Sequence, residues 1–573
     1  MPRRVRPRWW ALSLLPLLLA LVPLPRAAPD VSDTIQDRLR TRIEAARQGQ
    51  TGAFRVGPVQ VQAQATVIRY YQQTGFAPTW IDPNGPTSLA DSLVSALRAA
   101  DRDGLRPADY HVAVIDSLRR TLRAQAAAGA SLDPQRLADF ELLCTNGFLL
   151  YGAHLRRGRV DAETLEPTGT ATPHADHLVP QLEAVLNGAS LHDTFASLRP
   201  SHPEYGTLVR LLSRYRQIET AGGWPTVPDG PKLEVGLSSD RVVPLRRRLH
   251  VTGDLPVPAA RDTTAFDSTL SAAVVRFQER HGLEPDGVVG PATRAALNVP
   301  VADRIQQLVV NLERWRWLPH ELGDPHVRVN IAGFELQVIE NGAEALHMRV
   351  VVGQPYRQTP VFSDRISYLV FSPYWNVPHS LAVRDKLPAF KANPSLVSQQ
   401  GFEVLQGWGA DAQPIDPSTI DWASLSARTF PYRLRQRPGP QNALGQVKFM
   451  FPNPHSVYLH DTPSRSLFAR SERSFSSGCI RVERPLDLAA YLLRENTSWT
   501  PDRIRSAMGQ RTEQTVVLNR KVPVHLLYWT AWAEDDAAQF RRDVYQRDAP
   551  VAAALLRPLP PPRGLSTDTP LGR

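Results

Sequence analysis

The residue types that could do chemistry together lie toward the carboxyl end of the chain. His460-Asp461-Thr462 is followed by Ser476-Ser477-Gly478-Cys479-Ile480-Arg481, so a thiol stands nineteen positions after an imidazole. The 573-residue chain has only two cysteines, and this one sits in a turn of small residues. A thiol acts as a nucleophile in its thiolate form, and His is the side chain best matched to take its proton near neutral pH. Gly478 removes a side chain beside the sulfur, so a substrate carbonyl would reach it together with backbone N–H donors for the developing oxyanion. Two plainer readings stand beside this one: a small buried hydrophobe for the cysteine, and a structural or solvated histidine. Zinc is disfavoured, because one Cys and one His lack two further ligands at the usual short spacings.

The elements that must position these groups are legible in part. Val457, Tyr458 and Leu459 are apolar β-formers, so His460 ends a strand. Pro485 to Leu493 reads as a helix with Pro in its first turn. Ile305 to Trp317 is a further helix, after which β-patterns dominate. Val327, Val329 and Ile331 alternate, as do Leu336 and Val338. Asn341-Gly342 marks a hairpin, and Met348 to Val352 is the returning strand. Ile366 to Phe371 is another strand, and Val522 to Tyr545 supplies a closing one. The region 301–549 is therefore expected to be mostly β with helices at its margins. An insertion at 379–428 interrupts it, with a short helix pattern (Leu381 to Phe390) and a polar run carrying Trp408 and Trp422.

Upstream, 31–234 reads as helical, with apolar helical spacing in Ser88 to Ala100, Leu105 to Leu118 and Leu137 to Leu155. Tyr70, Phe76 and Trp80 are expected to pack rather than to line a ligand site. Cys144 belongs to a buried helical run, Phe140 to Tyr151, and both cysteines are expected to be free. A short segment, 237–299, has the marks of a small helical bundle. Ala272 to Phe277 is helical, Asp286-Gly287 turns the chain, and Gly290-Pro291 opens another helix. The Pro-rich stretch 550–573 is expected to be disordered. The whole is a multi-domain α+β chain.

Arg3, Arg4, Arg6 and Arg8 precede an apolar core of about sixteen residues, Trp9 to Leu24, so 1–28 reads as an export signal. Cleavage near Ala27-Ala28 and an uncleaved inner-membrane anchor are both open, because Pro29 follows the small residues. No other stretch reaches the length of apolar residues needed to span a bilayer. The formal net charge is +10, carried almost wholly by arginine. Contact with an anionic polymer or membrane surface suits that balance. No interleaving of aromatic and basic residues suggests a nucleic-acid groove.

The segment Gln436 to Arg484 resembles the catalytic heart of L,D-transpeptidases, and most of all their large periplasmic branch. That family places a His, a spacer of about fifteen to twenty residues, and then Ser-X-Gly-Cys-X-Arg or -Asn. Many members carry His before the Gly of that motif, where Ser477 stands here and in the large branch. Tyr70 to Trp80, Asp103 to His111 and Gly147 to Arg159 are similar to the helical amino-terminal scaffold of these enzymes. Ala272 to Thr293 resembles their three-helix peptidoglycan-binding module, and the insertion matches their capping subdomain in position.

The resemblance implies Cys479 as nucleophile, His460 as general base and acid, and the Asp461 backbone carbonyl as the group that orients the imidazole. It places Ser477, Gly478, Tyr458, Arg481 and Asn442 at the oxyanion or the substrate, with Lys448 a weaker candidate. Arg481 would pair with a stem carboxylate or brace the active-site loop. The implied reaction is acylation by a tetrapeptide stem with loss of D-alanine, then transfer to an amine to form a 3-3 cross-link. No metal or other cofactor is implied. The implied partners are peptidoglycan stem peptides, glycan and other wall-synthesis enzymes, the implied location is the periplasm, and carbapenems are the implied inhibitors. An L,D-carboxypeptidase and a non-catalytic wall-binding scaffold are the alternatives. Whether the small module grips glycan or braces the catalytic domain is left open, as is whether the insertion is a lid or a solvated decoration.

Overall fold

Alternation along 326–352 builds a β-barrel. Val327, Val329, Leu336, Val338, Met348, Val350 and Val352 point to one side and are buried together, as period-two side-chain alternation requires. Asn341 and Gly342 both take positive φ (52° and 74°), the backbone that a two-residue hairpin turn needs, and they leave Glu340 paired with Ala343. Eight strands close into a ring. In order around it they are Ala343–Gly353, Ile480–Val482, Leu459–His460, Val447–Met450, Phe362–Phe371, Gln514–Leu527, His326–Asn330 and Glu335–Glu340, the last pairing back to the first. Closure removes the free edges that an open sheet would expose. The helix Pro485–Leu493 lays Leu488, Ala489, Leu492 and Leu493 on the same core. Each fully buried leucine among them contributes about 1.5–3 kcal/mol.

The described residues of this computed structural model are 31–48, 54–165, 178–256, 263–407 and 409–560. The amino-terminal apolar run, Trp408 and the residues from 561 onward lie outside them. Among the described residues no helix is long and apolar enough to cross a membrane.

The amino-terminal helices gather around Pro134–Arg157, whose residues from Phe140 to Leu155 are all buried. Its Glu141 carboxylate accepts the Thr79 and Trp80 N–H groups (2.6 and 2.8 Å) and the Tyr71 hydroxyl (2.9 Å). Tyr70 and Trp80 are core residues, and Phe76 is half-buried against the same core. One helix expected over Leu105 to Leu118 is instead a 3-10 turn, Pro107–Tyr110, followed by Val112–Ala127. His111 at φ 55° separates them, because left-handed backbone cannot continue a right-handed helix.

In the small module Gln278 explains the Phe-Gln and Asp-Gly phrases. Its Nε2 donates to Asp286 Oδ1, the Val288 carbonyl and Thr293 Oγ1, and its Oε1 accepts the Gly287 N–H. One side chain thus pins the turn onto two helices. Val227 and Leu233 also belong to this core, so the module begins earlier in the chain than 237.

The insertion folds as a separate unit. Gln413–Ile415, Phe402–Gln406, Tyr432–Gln436 and Trp375–Asn376 form a four-stranded sheet in that order, packed on Phe390 and Trp422. Two of its strands come from outside 379–428, so the unit runs from about 375 to 436. The expectation of disorder from 550 is corrected by a helix, Asp548–Leu556. Val551, Ala552 and Leu555 bury against Ala162, Val310 and Trp317, and Arg159 Nη1 donates to the Ala554 carbonyl (2.8 Å). The Pro-rich composition that follows it obscures a short apolar run that becomes helical by docking.

Candidate active site

The strand Ile480–Val482 pairs in parallel with Leu459–His460, with Leu459 opposite Ile480 and His460 opposite Arg481. Leu459 and Ile480 point into the barrel core. Alternation then sends Tyr458, His460, Cys479 and Arg481 to the outer face. The neighbouring antiparallel strand adds Lys448, opposite His460, to the same face. This register is what brings a cysteine and a histidine nineteen positions apart onto one surface.

His460 is 4 % exposed, and its Nδ1 lies 2.5 Å from the Asp461 carbonyl oxygen. With the Nδ1 proton donated there, Nε2 keeps its lone pair. Burial pushes the imidazole down to about 3; the Arg481 cation adds to this, and the Asp461 and Leu444 carbonyls oppose it. The ring is therefore neutral near pH 7. The Asp461 carboxylate is occupied elsewhere. It accepts the Gln446 N–H (2.8 Å), the Thr462 N–H (2.6 Å) and Arg465 Nη2 (2.5 Å). Gly445 makes this fit, since a Cβ there would lie 2.4 Å from that carboxylate. The group that touches the imidazole is the backbone of Asp461.

Cys479 is partly exposed. Its sulfur lies 3.8 Å from the Ser456 carbonyl, and the Tyr458 hydroxyl and Arg481 also act on it. Burial raises the thiol above its ordinary range, while the Tyr458 N–H, the Tyr458 hydroxyl and the Arg481 cation pull it back. Tyr458 is itself raised by burial and by Cys479. Arg481 is lowered by burial, with Cys479 opposing that shift, and its buried Nε has no hydrogen-bond partner. The resting pair is thus a neutral thiol and a neutral imidazole, with a cation facing the sulfur.

The turn that carries the thiol is held by groups that the sequence did not reveal. Gly478 has φ 120°, a region that favours glycine. Its N–H donates to Ser476 Oγ (3.1 Å), and its carbonyl accepts Thr359 Oγ1 (2.8 Å). Thr359 also accepts the Gly353 N–H (2.9 Å), and Tyr545 donates its hydroxyl to the Gly353 carbonyl (2.5 Å). The Gly478 N–H is therefore spent internally, which corrects its place among the oxyanion donors. The Cys479 N–H carries no hydrogen bond among the described residues. Ser477 is exposed, and its Oγ accepts Arg357 Nη1 (3.0 Å). No motif in the sequence joins Arg357 or Thr359 to a turn more than a hundred positions later.

Asn442 is corrected. It is 1 % exposed, and its Nδ2 donates to the carbonyls of Pro373, Gln436 and Arg437. Its Oδ1 accepts the Leu444 N–H (2.8 Å). It shapes the loop whose Leu444 carbonyl faces His460, and it has no free atom for a substrate. Lys448 is half-buried, and burial lowers its ammonium despite Glu513.

Three family descriptions match this chain: "Scaffold domain" over residues 65–212, "Putative peptidoglycan binding domain" over 238–297, and "L,D-transpeptidase catalytic domain" over 324–518. A protein described as "Putative L,D-transpeptidase" from Haemophilus influenzae is 38% identical over 251 residues, 44% of this chain and 49% of that protein. The match therefore spans about half the length of that relative. Among solved structures, an L,D-transpeptidase from Stackebrandtia nassauensis is 13% identical, with 53% of this chain and 96% of that one covered and a TM-score of 0.21. One from Xylanimonas cellulosilytica (residues 123–326) is 16% identical, with 52% and 99% covered and a TM-score of 0.17. At that level of superposition neither bears on fold or function. Residues 324–518 thus match an L,D-transpeptidase catalytic domain, with matches to a scaffold domain and a peptidoglycan-binding domain ahead of it.

Proposed function

We propose that the protein is a cysteine-dependent peptidoglycan L,D-transpeptidase acting outside the cytoplasm, in the periplasm. The observation that carries this reading is the Tyr458, His460, Cys479 and Arg481 quartet on one barrel face, within the residues that match the catalytic-domain family. Cys479 Sγ attacks the carbonyl carbon of the diaminoacid residue in a tetrapeptide stem, and its proton passes to His460 Nε2 as the C–S bond forms. Because the thiol and imidazole are both neutral at rest, this proton transfer accompanies the attack. The Cys479 N–H faces the developing oxyanion. The bond to D-alanine then breaks, and His460 returns the proton to the departing amine. An amine from a neighbouring stem attacks the thioester carbonyl, gives its proton to His460, and releases the thiolate. The product is an amide between two diaminoacid residues, a 3-3 cross-link.

Arg481 holds the sulfur's negative charge as it forms, and Tyr458 steadies it through its hydroxyl. The insertion beside this face would limit water, so that an amine rather than water resolves the thioester. Intact-protein mass spectrometry with a carbapenem, alongside D-alanine release from a tetrapeptide stem, tests the reading. One adduct in the wild type, none in Cys479→Ala and slow formation in His460→Ala is the expected result. A folded wild type that gains no adduct and releases no D-alanine would overturn it. D-alanine release without any acceptor dependence would indicate a hydrolase of the same bond.

A further inference from the structure

The inserted unit and the cysteine turn meet through one arginine. Arg357 donates Nη1 and Nη2 to the two Asp385 oxygens (2.7 and 2.8 Å), and Nη1 also reaches Ser477 Oγ (3.0 Å). Asp385 belongs to a π-helical turn, Ala382–Lys386, in the inserted unit. Such turns often mark functional positions within helices. The next residue, Lys386, places its ammonium over the rings of Trp375 and Phe402 (5.5 and 5.1 Å), which fixes the direction in which that turn faces.

The arginine's own loop is equally constrained. The Arg357 N–H donates to the Gln354 carbonyl (2.8 Å), and Gln354 N donates to the Ser476 carbonyl (3.0 Å). A Cβ at Gly353 would lie 2.1 Å from the Arg357 carbonyl oxygen, so only glycine allows this approach. The ion pair itself is 18 % and 39 % exposed on its two sides. A pair that open to solvent is modest in strength and sensitive to salt.

We infer that Arg357 is a positioning residue for the reaction, fixing the Ser477–Gly478–Cys479 turn and tying it to the inserted unit through Asp385. The inference rests on the reading of Cys479 as the nucleophile. Ser476 and Thr359 hold the Gly478 backbone, and the hydrogen bond from Arg357 fixes the exposed Ser477 side of the same turn. The ion pair transmits the position of the inserted unit to the same atom. Arg357 acts through Ser477 rather than on the sulfur, whose facing cation is Arg481.

The test uses the whole chain as wild type, Arg357→Gln, Asp385→Asn and the reversed pair Arg357→Glu with Asp385→Arg. Hydrogen exchange over 379–392 should quicken by about threefold or more in both single variants and recover in the reversed pair. Alkylation of Cys479 by iodoacetamide should speed up in both single variants with its pH midpoint unmoved. In Arg357→Gln, kcat for D-alanine release should fall by about tenfold while KM stays within about twofold. Unchanged exchange and alkylation in both single variants would overturn the inference, as would a shifted pH midpoint in Arg357→Gln. A wild type that releases no D-alanine would sink the proposed function and with it the part of Arg357 in the reaction, whereas exchange and alkylation separately decide whether the tie between the turn and the inserted unit exists.

Discussion

Cys144 and Cys479 are the same side chain in two settings. Cys144 lies in the helix Pro134–Arg157 with no exposure, and burial lifts its thiol well above the ordinary range, with Glu141 adding to the rise. At Cys479 burial acts in the same direction, but the Tyr458 N–H, the Tyr458 hydroxyl and the Arg481 cation oppose it. The scaffold also holds a buried imidazole, His154, whose Nδ1 is 3.0 Å from the Tyr110 hydroxyl. Burial therefore does not distinguish the two places. The central helix is packed all round, and its Glu141, Thr145 and His154 make structural hydrogen bonds, while Asn146 Nδ2 and Arg156 Nε have no partner among the described residues. On the barrel, alternation sends the apolar half of each strand inward and gathers polar groups with unused capacity on the outer face. Among the described residues the Cys479 N–H and the Arg481 Nε there have no hydrogen-bond partner.

The largest expected break in this comparison is Cys479→Ala, which should reduce D-alanine release at least about 1000-fold while the protein stays folded. His460→Ala should cost on the order of 100-fold in the same assay, since it removes the proton acceptor and leaves the thiol. In the scaffold the large effect is on stability. Glu141→Ala leaves the Thr79 and Trp80 N–H groups without their acceptor, while the Tyr71 hydroxyl keeps Thr145, and should cost about 3 kcal/mol in denaturant unfolding.

Acid sharpens the comparison further. His460 sits at about 3 when folded, against an ordinary value of 6.5. The unfolded chain thus binds its proton first as pH falls. The contribution of the neutral imidazole is complete above 6.5 and is lost progressively between 6.5 and about 3. Unfolding midpoints measured from pH 7 down to pH 4 should fall less steeply in His460→Gln than in the wild type. Arg481→Met should move the alkylation midpoint of Cys479 upward, because the cation facing the sulfur is gone. The smallest effect belongs to Cys144→Ala, about 1 kcal/mol of stability with D-alanine release unchanged.

Local signals were legible wherever a few adjacent residues decide the backbone. Asn341-Gly342 forms its hairpin because two left-handed positions are needed in sequence. Pro485 opens its helix at the first turn, where its missing N–H costs nothing. The run from Asp548 hid its helix because the neighbouring prolines dominate the composition, and docking against Val310 and Trp317 supplies what the short segment lacks. Asn442 lay close to the site in sequence, yet its amide turns inward onto three carbonyls. Position along the chain says where the backbone passes and not which way a side chain faces.

Composition and spacing by themselves determined that a thiol and an imidazole occur in strand-and-turn settings, with helices upstream and β-structure around them. They also determined the conformationally special turn Asn341-Gly342, because it depends on the residues themselves. Tertiary structure alone decided that Leu459 pairs with Ile480, and with that register the sharing of one face by Tyr458, His460, Cys479 and Arg481. It alone brought Thr359, Arg357 and Asp385 to the cysteine turn. The physical reason is that strand register and loop docking are settled by burial of the whole barrel core, summed over residues far apart in the chain. No local stretch of sequence contains that sum.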